Sequence, residues 1–305
     1  MPMRERVSKI AGWVSVASNL LLTMLKLVIG FFLGSQVLIA DGVHSAADVV
    51  ASVAALGAMT ISNRPADKEH PYGHGKAEVV ASGIVSVILV IAAVGIAYKG
   101  FESLLGEAIP PHLISLFAAL FSLVAKQILY VYTYRLGKKY NSQALIATAI
   151  DHQADVYASL AAVIGIAVAL VGQATGNTIL YYADPVAGIL VAALILKLAY
   201  HMGSKSVDTL MERNVPPELL EDFERIIYSV PKVRRIDRLR AREHGHYILV
   251  DVRVGVPGQL SIQEGHDVAN RLKKAVMEKH PNVQEVLVHI NPWYAEDDFA
   301  NKRTK

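Results

Sequence analysis

The chain has 305 residues and no cysteine; 53% of its residues are hydrophobic, only 19% are charged, and the formal net charge is +3. A soluble domain carries nearer 45–50% apolar residues and about 25% charge, so this balance, with a mean hydropathy of +0.35, points to a membrane protein. The missing cysteines exclude disulfides, thiolate metal sites and thiol redox chemistry, and the small, scattered basic excess gives no reason to expect nucleic acid.

In chain order, MPMRERVSKIAGW is basic and then apolar, like a secretory signal. The apolar run continues to about Gly34 without an A-x-A-like cleavage site, so it reads as a retained first span. Six segments, residues 10–33, 37–62, 79–98, 113–134, 144–171 and 181–200, are each long enough for a bilayer crossing of about 20 residues. Arg4, Arg6 and Lys9 precede the first; Arg64, Lys68 and Lys76 follow the second; Arg135, Lys138 and Lys139 follow the fourth. The other connections carry almost no charge. The positive-inside rule then puts both termini in the cytoplasm of a multi-pass protein of the cell membrane. Trp13, Tyr130, Tyr132, Tyr134, Tyr181 and Tyr182 sit near span ends, as interfacial aromatics do.

From about Ser206 the chain becomes charged and mixes helical and strand periods. PPELLEDFERIIYSV puts Leu219, Phe223, Ile226 and Ile227 on one helical face behind Pro216 and Pro217. HYILVDVRVGV alternates, with Ile248, Val250, Val252 and Val254 on one side and Tyr247, Leu249, Asp251 and Arg253 on the other. SIQEGHDVANRLKKAVMEKH is a second amphipathic helix, with Ser261 and Glu264 spaced for a capping box; VQEVLVHI closes as a strand. The expected organisation is a six-helix transmembrane domain over residues 1–205, a small α+β cytosolic domain over 206–292 and a tail over 293–305.

Ionisable groups inside the spans carry the functional information. Span two holds His44 and Asp48, and span five holds Asp151 and Asp155, both pairs at the i,i+4 spacing that shares one helical face. A charged side chain at the centre of a membrane helix costs about 2.5–3.5 kcal/mol on insertion scales, so something must compensate the carboxylates. One reading is interhelical hydrogen bonding or a wet cavity. The sharper one is that the two faces meet and grip a divalent cation with three carboxylates and one imidazole. Asp41, one turn before His44, reads as a supporting group or a helix-start anchor. Lys26 and Lys126 read as snorkelling or cavity-lining side chains, and His152 as a polar packing residue turned away from the site. In the polar loop NRPADKEHPYGHGKAE, Asp67, His70 and His74 form a second cluster of ligand types, solvated or metal-bound, with Gly73 and Gly75 allowing a tight turn. REHGH (Arg242 to His246) reads as a turn, not as the H-E-x-x-H helix of a metalloprotease.

ADGVHSAADVVAS, HPYGHGKAE, DHQADVYAS and DPVAGILVA, taken with six spans and an α+β C-terminal domain, resemble the cation diffusion facilitator family along nearly the whole chain. The resemblance implies a homodimer with a metallochaperone-like (ferredoxin-like) cytosolic domain. It implies export of a divalent transition metal from the cytoplasm in exchange for protons by alternating access, with no prosthetic group and no enzymatic activity. The family's transport-site positions fall on His44, Asp48, Asp151 and Asp155, and its loop-site positions on Asp67, His70 and His74. In the cytosolic domain, Asp251, His266 and His289 match ligand positions in part, whereas Ile236 and Arg253 stand where some members have histidines. Lys76 and Asp208 match positions of a salt bridge between the two domains. Zinc members commonly carry histidine where Asp151 stands; a carboxylate there hardens the site and tilts the expectation to manganese, with zinc, iron, cobalt and cadmium as alternatives. Two rival classes stay open: an intramembrane aspartyl protease, which needs one carboxylate on each of two helices, and a passive cation channel, which needs no proton coupling.

Overall fold

The structure is a computed structural model that describes residues 3–106, 109–139 and 143–294. The expected tail falls outside the described residues from 295 onward, and of Arg4, Arg6 and Lys9 only the backbone is described. Six long helices come first: α1 (Met3–Leu33), α2 (Gln36–Ser62), α3 (Ala77–Leu105), α4 (Leu113–Lys139), α5 (Gln143–Thr175) and α6 (Ala183–Leu210), the last entered through a 3-10 turn, Thr178–Tyr182. The chain divides into two compact units, Met1–Leu56 with Ser82–Gly203, and Gly57–Ala81 with Ser204–Lys305.

Lipid offers no partner for a free N–H or C=O, so each crossing closes its hydrogen bonds within one helix. Among the described residues, five stretches are long and apolar enough to cross a membrane: Trp13–Leu33, Ala77–Leu105, Leu113–Lys139, Thr148–Thr175 and Thr178–Leu210. The sixth helix, α2, has 27 residues, about 40 Å at 1.5 Å per residue. Phe31, Phe32, Ile91, Phe117 and Phe121 point outward, while Val37, Leu38, Ala119, Ala162, Ile166, Val191 and Ile195 fill the interior. Helices apolar on every side suit a bilayer. Small residues let them approach: a Cβ on Gly165 of α5 would lie 2.6 Å from the Ala187 Cβ of α6.

The start of α2 is capped from another helix. Ser35 Oγ accepts the Leu38 N–H at 3.2 Å, and its hydroxyl donates to Asp184 Oδ1 at 2.6 Å. Asp184 Oδ2 accepts the Gln36 N–H at 2.6 Å. A buried carboxylate in the first turn of α6 thus answers the orphan donors and the positive dipole end of α2, which fixes where the ligand-bearing helix begins.

The second unit contains α7 (Pro217–Tyr228), β1 (Arg235–His244), β2 (Tyr247–Pro257), α8 (Ile262–Lys279) and β3 (Val283–Trp293). The sheet order is β1-β2-β3, with β1 and β2 antiparallel and β2 and β3 parallel across α8. One face packs on both helices through Phe223, Ile226, Ile227, Val250, Val252, Val254, Val268, Leu272 and Val276. The expected capping box forms: Ser261 Oγ accepts the Glu264 N–H at 3.3 Å and Glu264 Oε2 accepts the Ser261 N–H at 2.9 Å. That Ser261 N–H, ahead of Lys232, holds the Glu264 carboxyl below its ordinary value. The alternation of β2 fails at its start, because Tyr247 and Leu249, on the side away from the helices, are only 8% and 6% exposed. Pro71, Tyr72 and Gly73 of the loop before α3 share a cavity with them, so the loop covers a face that strand pattern alone assigns to water.

The Phe223 side chain is fully buried, so Phe223→Ala should cost about 3–5 kcal/mol through lost burial and a cavity, against about 0.5 kcal/mol or less for exposed Glu224→Ala. Urea unfolding of the second unit, followed by hydrogen exchange, is the measurement.

Candidate metal sites

Helices α2 and α5 bring three of the four expected intramembrane ligands together. His44, Asp48 and Asp155 can each offer a ligand atom with all three atoms within 4.8 Å of one another, and His44 Nε2 lies 3.6 Å from Asp155 Oδ1. Asp155 is buried, and His44 and Asp48 are half-buried. The Nδ1 of His44 is buried without a hydrogen-bond partner among the described residues. Two carboxylates and an imidazole at this spacing form an N/O donor set suited to a first-row divalent cation. Asp151, one turn before Asp155, is exposed and stands outside the group. A second ligand on α5 is therefore in register with the site but is not gathered into it.

Beside the three ligands stand two lysines that do not snorkel. Lys26 and Lys126 are fully buried. Lys126 Nζ donates to Asp155 Oδ2 and, at 2.8 Å, to Asn19 Oδ1. Lys26 Nζ lies 2.9 Å from Asp41 Oδ2 and donates to Ser45 Oγ at 3.0 Å and Ser159 Oγ at 3.1 Å; Ser159 in turn donates to Asp41 Oδ2 at 2.9 Å. Buried away from solvent, the head groups pair with carboxylates. Asp41 accordingly belongs to a separate ion pair one turn away from His44. His152 also departs from expectation: its Nδ1 is 3.8 Å from Asp155 Oδ2 and its Nε2 is 2.9 Å from Ser15 Oγ. The i,i+3 spacing from Asp155 carried that signal, since positions three apart adjoin on a helix.

Asp67, His70 and His74 also come together, with ligand atoms within 4.8 Å. Asp67 Oδ1 is 3.4 Å from His70 Nδ1, its Oδ2 is 3.4 Å from His74 Nε2, and the two imidazole centroids are 4.4 Å apart. The carboxylate accepts the His70 N–H at 2.6 Å and the Glu69 N–H at 2.9 Å. The His70 N–H is the main cause that holds the Asp67 carboxyl below its ordinary value, so it stays ionised and available to a cation.

The cytosolic residues are not gathered within the chain. Asp251 is paired with Arg242 Nη1 at 2.7 Å, His289 Nε2 meets Asn291 Oδ1 at 3.0 Å, and His266 is exposed on α8. Among the described residues these three form no ligand group. The expected Lys76–Asp208 pair is replaced: Lys76 Nζ reaches Glu212 Oε1 at 3.2 Å, while Asp208 pairs with Arg213. The reason is local. Asp208 has a cation five residues along its own chain, and Glu212, at φ 61°, turns its carboxylate between Lys76 and Arg242.

Residues 12–211 match the family described as the cation efflux transmembrane domain, and residues 215–293 match the cation efflux protein cytoplasmic domain. The chain is 46% identical over 293 residues to the manganese efflux system protein MneP of Bacillus subtilis, covering 96% of this chain and 99% of that protein. It is 34% identical over 280 residues to MneS of the same organism, covering 92% and 93%. The magnetosome protein MamB of Paramagnetospirillum magneticum is 30% identical over 281 residues, covering 92% and 93%. Two family matches in tandem, full-length relatives and a cluster of ligands among membrane-spanning helices agree, and the chain belongs to the cation efflux family of metal transporters.

Proposed function

We propose that this member exports manganese from the cytoplasm in exchange for protons, by alternating access, as a homodimer with both termini cytoplasmic. The observation that carries the reading is the gathering of His44, Asp48 and Asp155 within 4.8 Å among the membrane-spanning helices. Manganese is favoured over zinc, iron, cobalt and cadmium on two grounds. Asp151 supplies oxygen where an imidazole would favour zinc, and the relatives MneP and MneS are named for manganese efflux.

The cation enters from the cytoplasmic side and loses water to His44, Asp48 and Asp155. Asp151 closes the fourth position when α5 shifts toward α2. Because these ligands bind only when deprotonated, metal uptake releases protons and protonation releases metal. A proton delivered from the far side therefore expels the cation and returns the empty site inward. Lys126 restrains affinity, since a fixed ammonium on Asp155 offsets part of the charge that would hold the metal. Asp67, His70 and His74 form a second cation site on the cytoplasmic loop. A protease reading fails to use the imidazole or the second cluster, and a channel reading gives no role to a compact ligand set.

Asp155→Ala would strand the Lys126 ammonium, a fault of about 3–5 kcal/mol for a broken buried pair. Asp48→Ala and Asp155→Asn are the cleaner tests. In proteoliposomes with manganese inside the lumen equivalent of the cytoplasm, both should lose metal-dependent transport while eluting as folded dimers; wild-type rates in both would remove the transport-site assignment. An imposed proton gradient should accelerate wild-type transport, and indifference to it would favour a channel. Asp151→His should shift the affinity ratio from manganese towards zinc in calorimetric titration.

A further inference from the structure

The segment Tyr72 to Gly75 joins His70 to His74, and the tip of the β1–β2 hairpin grips it. The Tyr247 phenol donates to the Tyr72 carbonyl. Gly73 sits at φ +84°, and a Cβ there would lie 2.8 Å from the Tyr247 phenol oxygen. Gly75 runs against the His244 carbonyl, and its Cβ would lie 2.7 Å from Tyr247 Cε1. Gly245, at φ +73°, packs on the Gly75 backbone in return. Ser62 Oγ lies 3.0 Å from His246 Nδ1 and donates to the Gly75 carbonyl at 3.4 Å. His244 stacks on the Tyr247 ring and His246 meets it edge-on, each with centroids 5.1 Å away, so the phenol has little freedom to move.

Within the loop, Asp67 N–H and Gly73 N–H both donate to the His70 carbonyl, at 3.2 Å and 2.9 Å, and the His74 carbonyl accepts the Ala77 N–H at 2.9 Å. The hairpin holds the chain on both sides of His74, at Tyr72–Gly73 and at Gly75, and so sets how far His74 stands from Asp67 and His70. A ligand placed loosely by even an ångström binds a cation poorly.

We propose that the hairpin tip, His244 to Tyr247, is the positioning element of the loop's divalent-cation site, with the Tyr247 hydroxyl as its principal contact. The inference rests on reading Asp67, His70 and His74 as cation ligands. It goes further in making that site's affinity depend on a strand connection of the second unit. By linkage, a cation captured on the loop must stabilise the hairpin by the same factor that the hairpin lends to capture.

The test uses the full chain in lipid nanodiscs, titrated calorimetrically with manganese and separately with zinc. Asp67→Ala defines the loop class of binding as the class it removes. Tyr247→Phe keeps the ring and deletes one neutral hydrogen bond, so it should weaken that class about fivefold and leave the other class unmoved. Gly73→Ala, which places a methyl group against the phenol, should weaken it further. Metal should slow hydrogen exchange over residues 241–250 in wild type and not in Asp67→Ala, a readout that a purely structural role for Tyr247 would not move. Wild-type loop affinity in both Tyr247→Phe and Gly73→Ala, or no metal-induced protection of the hairpin, overturns the positioning role. Unchanged binding in Asp67→Ala overturns the loop site itself, and the proposal with it.

Discussion

Inside the membrane-spanning unit, a buried ionisable group is costly to leave unpaired, by several kcal/mol. Two buried lysines meet that demand for the carboxylates around them. Lys126 of α4 joins Asp155 of α5 and Asn19 of α1; Lys26 of α1 joins Asp41 and Ser45 of α2 and Ser159 of α5. Helices α1, α2, α4 and α5 are thereby tied at two levels, and the candidate ligands His44, Asp48 and Asp155 sit beside these pairs. In a medium without a hydrophobic drive between helices, such polar contacts and close small-residue packing supply the specificity.

The same pairing shapes the chemistry. A cluster of bare carboxylates would hold a divalent cation too tightly for a transporter, which must also let go. The Lys126 ammonium keeps one Asp155 oxygen engaged, which in the proposed transport cycle would make cation binding a competition between charges. The Lys26–Asp41 pair, one turn off, does not share an oxygen with the ligand cluster, so it reads as architecture. The loop cluster follows another logic: it is exposed at Asp67 and His70, ionised through backbone N–H bonds, and shaped by a hairpin far away in sequence.

Much of this was legible from residue order, for identifiable reasons. Six spans follow from the length and hydropathy of apolar runs, which depend on composition alone. The α7–β1–β2–α8–β3 order follows from periods of 3.6 and 2 residues, and the capping box at Ser261 from a three-residue spacing. His44 with Asp48, and Asp67 with His70 and His74, were identifiable because i,i+3 and i,i+4 neighbours must adjoin on a helix or in a tight turn. Tertiary partners are not legible in this way: Lys76 finds Glu212 in place of Asp208, Asp41 pairs with Lys26, and Asp251 pairs with Arg242.

Sequence by itself determined that this protein spans a membrane, that ligand-type side chains lie within its spans and loop, and that a small α+β domain follows. Those properties are carried by local spacing and by the hydrophobicity of single segments. Tertiary structure alone decided which charges pair, that three intramembrane ligands gather while Asp151 stands apart, and that Tyr247 lies under the loop of His70 and His74. Such contacts run from Lys26–Asp41, 15 positions apart, to Tyr72–Tyr247, 175 apart, and local periodicity carries no information about a partner at that distance.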